Sequence, residues 1–159
     1  MKPTRRMSPP GTYFVTFSTL QRRRLFVVEP YARLFLKTIY GYRRQGKFQL
    51  HAFVVMPEHI HLLLTPGEDV TLERSVQLIK GGYSHAFGVE FGKHKEVWQR
   101  GFTDHRIRER EDFKKHRQYI HNNPVVRGLV DRAPEYRYCS AYPGFKLDQP
   151  PSAAKAAVA

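Results

Sequence analysis

The stretch "KFQLHAFVVMPEHIHLLLT", Lys47–Thr65, carries the strongest indication of the fold. It contains two runs of apolar and β-branched residues with a short turn at Pro57 between them, which predicts two strands. Strands joined so closely must be antiparallel, because a parallel pair needs a crossover of a dozen or more residues. The sequence therefore predicts a tight hairpin at the centre of the domain.

The second strand of this hairpin has two different faces. Side chains alternate along a strand, so Ile60, Leu62 and Leu64 lie on one face, which we expect to be the core. His59 and His61 then lie together on the other face. We expect these two histidines to stay outside the core.

Apolar periodicity outward from the hairpin predicts three helices and two further strands. Pro30 and Gly46 are typical of a helix start and a helix end, and Thr71 is a candidate N-cap. The proline at 124 is expected to end the last helix. In chain order, the predicted elements are a strand at 12–20, a helix from Pro30 to about Gly46, strands within 47–56 and 57–65, a helix from Thr71 to about Phe91, a strand and loop at 95–108, and a helix from Glu111 or Asp112 to Asn122 or Asn123.

The order β-α-β-β-α-β-α with a central hairpin predicts an α+β, ferredoxin-like split βαβ fold. Its sheet should be largely antiparallel, with the helices packed on it. We expect a flexible basic arm at residues 1–11, one domain at 12–145 and a disordered tail at 146–159.

Composition and charge indicate the class of binding partner and the cellular compartment. The 159 residues suit one domain, and 27 Lys and Arg against 14 Asp and Glu give a net charge of +13. Such a charge predicts an anionic partner, first nucleic acid and second an anionic membrane surface.

The single cysteine, Cys139, excludes an internal disulfide framework and a multi-cysteine zinc site. No apolar run approaches the roughly 20 residues of a membrane span, so we expect a cytoplasmic protein without a membrane segment.

The two histidines are a candidate metal site. Their Cα atoms should lie about 7 Å apart on one face of a strand, close enough to bind one ion. His-x-His alone is a weak motif, and two polar residues on a solvated face are the alternative. Two ligands are too few for a closed structural site, so a metal here would need a third ligand and would keep an open catalytic position. The neighbouring Glu58 either orients a histidine or faces solvent.

The last predicted helix, "EDFKKHRQYIHNNPV" (Glu111–Val125), carries Phe113 and Ile120 on an expected buried stripe. Tyr119 and Asn123 are four residues apart and therefore share another face. Two interpretations stay open from the helix alone. The pair is either a tyrosine with a potential ligand one turn on, or a packed tyrosine followed by an asparagine that caps the helix.

Together, the basic charge, the His-x-His strand and the tyrosine helix resemble the HUH endonucleases, in which U is a hydrophobic residue. Within that group the chain resembles the REP-associated tyrosine transposases of the single-tyrosine transposase superfamily. The matching stretches are "VVMPEHIHLLL" (54–64), "VWQRGFTDHRIR" (97–108), "YIHNNPVVRGLV" (119–130) and "APEYRYCSA" (133–141). Ala141 replaces the second serine of the usual last motif, and the likeness spans about Thr12 to Tyr142.

The resemblance implies that Tyr119 attacks a phosphodiester of single-stranded DNA, stays linked to the 5′-phosphate and frees a 3′-OH. It also implies that His59, His61 and Asn123 bind Mg²⁺ or Mn²⁺, of which imidazole suits Mn²⁺ better. The expected substrate is a REP-like hairpin with a short single-stranded tag. A monomer is favoured, with a homodimer as the alternative, and the protein is expected to associate with the bacterial nucleoid through DNA.

Ten basic residues flank the first strand, the first helix and the tyrosine helix, and we expect them to follow a DNA backbone. A solvated charged face is the alternative for some of them. They are Arg22, Arg23, Arg24, Arg43, Arg44, Arg106, Arg108, Arg110, Lys114 and Lys115. Trp98 and Phe102 are candidates for base stacking, with core packing as the alternative.

Two other functions fit part of the sequence. A non-catalytic DNA-binding protein explains the charge and the aromatic residues, but it has no physical reason to keep both histidines, the tyrosine and the asparagine. A phosphotransferase or hydrolase acting on nucleotides through "HIHLL" fits less well, because Leu63 stands where a further histidine is expected.

Overall fold

The computed structural model of the protein describes residues 7–151. Four strands form one sheet in the order β2-β3-β1-β4, and every neighbouring pair is antiparallel. The α+β class and the ferredoxin-like, antiparallel sheet predicted from the sequence are confirmed. The strands are β1 (Tyr13–Ser18), β2 (Phe48–Val55), β3 (His59–Pro66) and β4 (Thr103–Arg106).

Three α-helices within residues 7–151 pack on this sheet: α1 (Glu29–Arg44), α2 (Leu72–Phe91) and α3 (Arg110–Val126). Thr71 caps α2 as predicted, since its hydroxyl accepts a hydrogen bond of 3.0 Å from the backbone N–H of Arg74. Gly92 ends the same helix with a φ of +65°, a left-handed conformation that glycine adopts without strain.

The first face of the sheet carries the main core, formed with α1 and α2. Ile60, Leu62 and Leu64 are fully buried there, as the strand alternation predicts. Phe35 of α1 and Tyr83 of α2 pack in the same core, with ring centroids 5.6 Å apart. Each fully buried side chain of this kind contributes about 1.5–3 kcal/mol to stability.

The second face of the sheet is covered by α3. Phe113 and Ile120 of this helix form a second, smaller core with Leu63 and its neighbours. His59 and His61 share this face and are only 6% and 5% exposed. They belong to neither apolar core, as predicted, but the alternative of a solvated face is wrong, because α3 covers this face of the sheet.

Pro124 does not end α3, contrary to the prediction, and the helix continues to Val126. A proline inside a helix lacks the N–H that would bond to the carbonyl four residues earlier, here that of Ile120. This carbonyl instead accepts a weak hydrogen bond from the thiol of Cys139, with a sulfur–oxygen distance of 4.0 Å. The helix ends in a Schellman motif at Gly128, whose φ is +74°. Hence α3 has one turn more than the sequence predicted.

Some residues of the predicted arm and tail contact the domain. Ser8 donates two hydrogen bonds to the carboxylate of Glu73, at 3.0 and 2.7 Å. Asp148 accepts bonds of 3.0 and 2.9 Å from Arg43 and one of 2.8 Å from the backbone N–H of Leu50. The domain bounds at 12 and 145 stay a prediction, and residues 1–6 of the arm and 152–159 of the tail lie outside the described residues.

Candidate metal and nucleophile site

A cleft of about 680 Å³ opens between α3 and the two central strands, β1 and β3. It brings together residues that are far apart in the chain, because β3 and α3 are packed face to face. Six of the predicted site residues line it: His59, His61, Arg22, Lys115, Tyr119 and Asn123. The whole predicted set of metal ligands and nucleophile therefore faces one space.

The two histidine rings meet edge to face, with their Nε2 atoms 3.1 Å apart. His59 Nδ1 lies 2.8 Å from a carboxylate oxygen of Glu58, and His61 Nδ1 lies 2.7 Å from the hydroxyl of Thr16. A carboxylate only accepts, so His59 donates through Nδ1 and keeps a lone pair on Nε2. With metal bonds of about 2.1 Å, two nitrogens lie about 3.0 Å apart at a 90° angle and about 3.4 Å apart at the tetrahedral angle. The observed spacing thus suits two ligands of one ion.

Burial keeps both imidazoles neutral. Burial, with a smaller contribution from the charge of His59, lowers the pKa of His61 to about 3. It also lowers the pKa of His59, although the hydrogen bond to Glu58 acts in the opposite direction. Burial alone would raise the pKa of Glu58, but hydrogen bonds and charges from His59 and Arg127 outweigh it and lower that pKa. Neutral imidazoles beside an ionised carboxylate are what metal binding requires.

Asn123 supplies the third candidate ligand. Its side chain is 7% exposed, and its Oδ1 has no hydrogen-bond partner within residues 7–151. A buried oxygen left without a donor costs about 1–3 kcal/mol, a cost that a cation in the cleft would remove. Two imidazole nitrogens and an amide oxygen fit a divalent ion such as Mn²⁺, and suit Mg²⁺ less well because it prefers oxygen ligands.

Tyr119 is 52% exposed and lies beside the candidate metal ligands. Its ring meets the ring of His61 at a centroid distance of 5.4 Å and that of Phe14 at 5.8 Å, both edge to face. Phe14 also stacks on His61 at 5.3 Å, so one aromatic side chain of β1 contacts both the ligand and the tyrosine. An accessible phenol held against a buried histidine is a suitable arrangement for a nucleophile.

Sequence reasoning missed Phe14, Thr16 and Arg127. Thr16 meets His61 only because β1 pairs with β3 in the register that places these two residues opposite each other. Arg127 lines the cleft only because α3 continues beyond Pro124. No local sequence signal shows either relationship. Glu58, by contrast, was a candidate to orient a histidine, and its contact with His59 supports that role.

Most of the predicted DNA-binding residues lie outside the cleft, and several have structural partners. Arg43 pairs with Asp148, Arg23 donates to two backbone carbonyls, and Arg106 donates to the carbonyl of Pro10. The predicted residues that do not line the cleft are Arg23, Arg24, Arg43, Arg44, Arg106, Arg108, Arg110 and Lys114. Trp98 is 8% exposed in the main core and donates to the Lys80 carbonyl, which favours the packing interpretation for this residue.

A second cluster of metal-binding residue types lies at the start of α3. His105, Asp112 and His116 bring one ligand atom each within 4.8 Å of one another. Asp112 accepts from His105 at 2.8 Å, and the two imidazole rings stack at 4.6 Å with only 17° between their planes. His116 Nδ1 also lies 3.1 Å from Asp112 Oδ1, so these side chains form a hydrogen-bonded cluster that joins β4 to α3.

Comparison with known proteins identifies the class. The family model described as "Transposase IS200 like" matches residues 11–123, most of the chain, so the protein belongs to that family. The REP-associated tyrosine transposase of Escherichia coli K12 is 33% identical over 129 residues, which cover 80% of this chain and 74% of that protein. The resemblance stated from the sequence is confirmed.

Solved structures agree with this assignment. A REP-associated tyrosine transposase bound to a REP hairpin matches with a TM-score of 0.72 and 28% identity, covering 96% of both chains. A Deinococcus radiodurans structure at 21% identity shares the fold, with a TM-score of 0.54 over 77% of this chain and 97% of that one. No helix within residues 7–151 is long and apolar enough to cross a membrane.

Proposed function

We propose that this transposase-family protein cleaves and rejoins single-stranded DNA beside REP-like hairpins, through a covalent bond between Tyr119 and a 5′-phosphate. The observation that carries the proposal is the convergence in one cleft of two Nε2 atoms 3.1 Å apart, the unpartnered Oδ1 of Asn123 and the half-exposed Tyr119. The similarity to a transposase bound to a REP hairpin supports the substrate.

The chemistry exchanges one phosphodiester for another. The Tyr119 oxygen bonds to phosphorus, and the bond from phosphorus to the 3′-oxygen of the neighbouring nucleotide breaks. Tyr119 loses its phenol proton, and the leaving 3′-oxygen gains one to become a 3′-OH. A phosphotyrosine keeps the energy of the broken bond, so a 3′-OH can reverse the step without ATP. His59, His61 and Asn123 would hold a divalent ion, which would supply electrostatic stabilisation of the negative charge on the phosphate.

The protein's own residues arrange this exchange. Glu58 and Thr16 fix the two imidazole rings through their Nδ1 atoms, which leaves both Nε2 atoms facing the cleft. Phe14 contacts both His61 and Tyr119, so the nucleophile keeps its position relative to the metal ligands. All these groups come from one chain, which supports a monomer as the active unit.

The test is covalent adduct formation on a panel of tagged hairpin oligonucleotides with Mn²⁺ or Mg²⁺. Tyr119→Phe should abolish the adduct while leaving non-covalent DNA binding nearly intact, because only the nucleophilic oxygen is lost. Tyr142→Phe, a change at another partly exposed tyrosine, is the matched control and should form the adduct normally.

An adduct that persists in Tyr119→Phe would show that the nucleophile is elsewhere. If the wild-type protein binds the hairpins tightly but forms no adduct with any of them, the non-catalytic DNA-binding alternative is correct.

A further inference from the structure

The carboxylate of Glu58 makes more contacts than the orientation of one histidine requires. Glu58 is 5% exposed, and its Oε1 lies 2.8 Å from His59 Nδ1, 3.1 Å from Arg127 Nη2 and 3.4 Å from Arg22 Nη2. One buried oxygen therefore holds a candidate metal ligand and two arginines. Both arginines also line the cleft that contains Tyr119.

Arg22 is held in this place by a strained turn. Gln21 and Arg22 have φ values of +56° and +51°, and they are the only non-glycine residues with positive φ within the described range 7–151. The buried Thr19 ties the turn to Glu58, because its N–H donates to the Glu58 carbonyl at 3.0 Å and its hydroxyl donates to the Arg23 carbonyl at 2.7 Å. Strained backbone persists where the surrounding structure fixes it, and it clusters at functional sites.

Arg127 reaches the same carboxylate from the C-terminal end of α3. It lies four residues after Asn123, and its N–H bonds to the Asn123 carbonyl at 3.0 Å. The nucleophile, the third candidate ligand and Arg127 thus follow one another at four-residue steps along one face of α3. This position exists only because the helix continues beyond Pro124.

The charges around Glu58 do not cancel. Two guanidinium groups share one carboxylate, which leaves an excess of one positive charge among these three side chains. The side chains of Arg22 and Arg127 are 61% and 44% exposed, and a guanidinium carries five N–H donors, so each keeps donors for another acceptor. Arginine donors in a fixed fork match the oxygens of a phosphate.

We propose that Arg22 and Arg127 form a fork that binds a phosphate of the DNA strand at the metal site, and that Glu58 positions the fork relative to His59. This inference rests on the proposed function. It assigns to Arg127 a role in substrate binding, and it narrows the general DNA-binding role of Arg22 to one phosphate in the cleft.

The first experiment measures single-turnover adduct formation and, in the Tyr119→Phe background, the salt dependence of single-stranded DNA binding. Arg127→Gln should slow adduct formation by about 100-fold, the size of effect seen when one donor to a reacting oxyanion is removed. It should also reduce the slope of log affinity against log salt by about 0.7, the loss of one phosphate contact. Arg22→Gln should act in the same direction, and Arg127→Lys should restore the slope but only part of the rate.

Arg137→Gln is the matched control. Arg137 is an exposed arginine that also pairs with a carboxylate, that of Glu29 at 3.5 Å, but it does not line the cleft. Wild-type rates and slopes are expected for this variant. If Arg127→Gln and Arg22→Gln behave like Arg137→Gln while the wild type forms the adduct, the fork is wrong and the proposed function stands. If the wild type forms no adduct, the proposed function fails instead.

A second experiment separates phosphate binding from simple neutralisation of Glu58. If the arginines only balance this charge, Arg127→Gln should change Mn²⁺ affinity through His59 and leave the salt slope of DNA binding unchanged. The fork predicts the reverse, wild-type Mn²⁺ affinity by calorimetry together with a reduced slope. Inorganic phosphate is titrated in parallel. If phosphate binding depends on Arg127 but the salt slope of DNA binding does not, the fork does not bind a phosphate of the DNA strand.

Discussion

The two faces of β3 perform different tasks with alternate residues of one strand. On the face covered by α1 and α2, Ile60, Leu62 and Leu64 are fully buried among apolar neighbours, and their burial stabilises the domain. On the face covered by α3, His59 and His61 are buried almost as deeply, yet each ring nitrogen has a polar neighbour. Burial on the first face provides stability, whereas on the second it keeps two imidazoles neutral and oriented.

The separate roles of the two faces are tested most strongly by changing adjacent residues that lie on opposite faces of β3. His61→Ala removes one candidate ligand and should lower metal-dependent adduct formation by more than about 100-fold, since even residues that only orient a ligand cost 10–100-fold. The metal-free variant should remain folded, because no apolar core side chain of the first face is lost. The checks are single-turnover kinetics and thermal melting with and without Mn²⁺.

In the wild type, Mn²⁺ should raise Tm, because an ion that binds only the folded state stabilises it by mass action. A wild-type rise in Tm that survives unchanged in His61→Ala would place the ion elsewhere, with the cluster around Asp112 as the first alternative.

Leu62→Ala makes the opposite change on the neighbouring residue. Leu62 is fully buried between α1, α2 and the sheet, so truncation should cost about 2–5 kcal/mol of unfolding free energy. For a protein of this size each kcal/mol lowers Tm by roughly 2–4 °C. At a temperature where the variant is folded, its Mn²⁺ affinity should stay close to that of the wild type. A large loss of metal affinity with little change in Tm would mean that the two faces are not separate in function.

The smallest expected effect concerns His51, a buried histidine of β2 outside the site. Its Nδ1 forms a hydrogen bond of 2.9 Å with the Asp148 carbonyl, and its Nε2 forms one of 2.8 Å with the Thr65 hydroxyl. Burial lowers the pKa of His51. The unfolded chain therefore binds a proton more readily than the folded one, and stability should fall as pH drops below the ordinary imidazole value of about 6.5. His51→Gln should make the unfolding free energy, measured by urea denaturation, less dependent on pH between about 7 and 5.

The wild type serves as the control in that comparison, since the lowered pKa values of His59, His61 and His121 act in the same direction in both proteins. An identical pH dependence in the two proteins would show that His51 does not titrate differently on folding.

Much of the fold follows from the sequence because its signals are local. Alternation in the 47–65 hairpin sets the sheet face, Thr71 marks a helix start, and the spacing of Tyr119 and Asn123 places them on one side of a helix. These features depend on neighbours within a few residues, which a single sequence displays directly.

The rest depends on contacts between distant segments. The apolar stripe of α3 shows that the helix is buried, but not that it covers the histidine face. Pro124 predicts a helix end by its own chemistry, and only the thiol of Cys139 beside the Ile120 carbonyl accounts for part of the lost backbone bond. The places of Thr16 and Arg127 in the cleft follow from strand register and from the extended helix, and neither has a local signal.

The strand order has a consequence for how the protein moves. The histidines lie on β3 and their partner Thr16 on β1, the two strands that have neighbours on both sides, whereas β4 is a four-residue edge strand. Amide hydrogen exchange should be slowest in β1 and β3, because central strands open only with the whole domain. The two candidate histidine ligands then lie on a part of the sheet that is as rigid as the domain itself. Any opening that admits a DNA strand, or releases one after tyrosine has carried its phosphate, is expected to arise from displacement of α3.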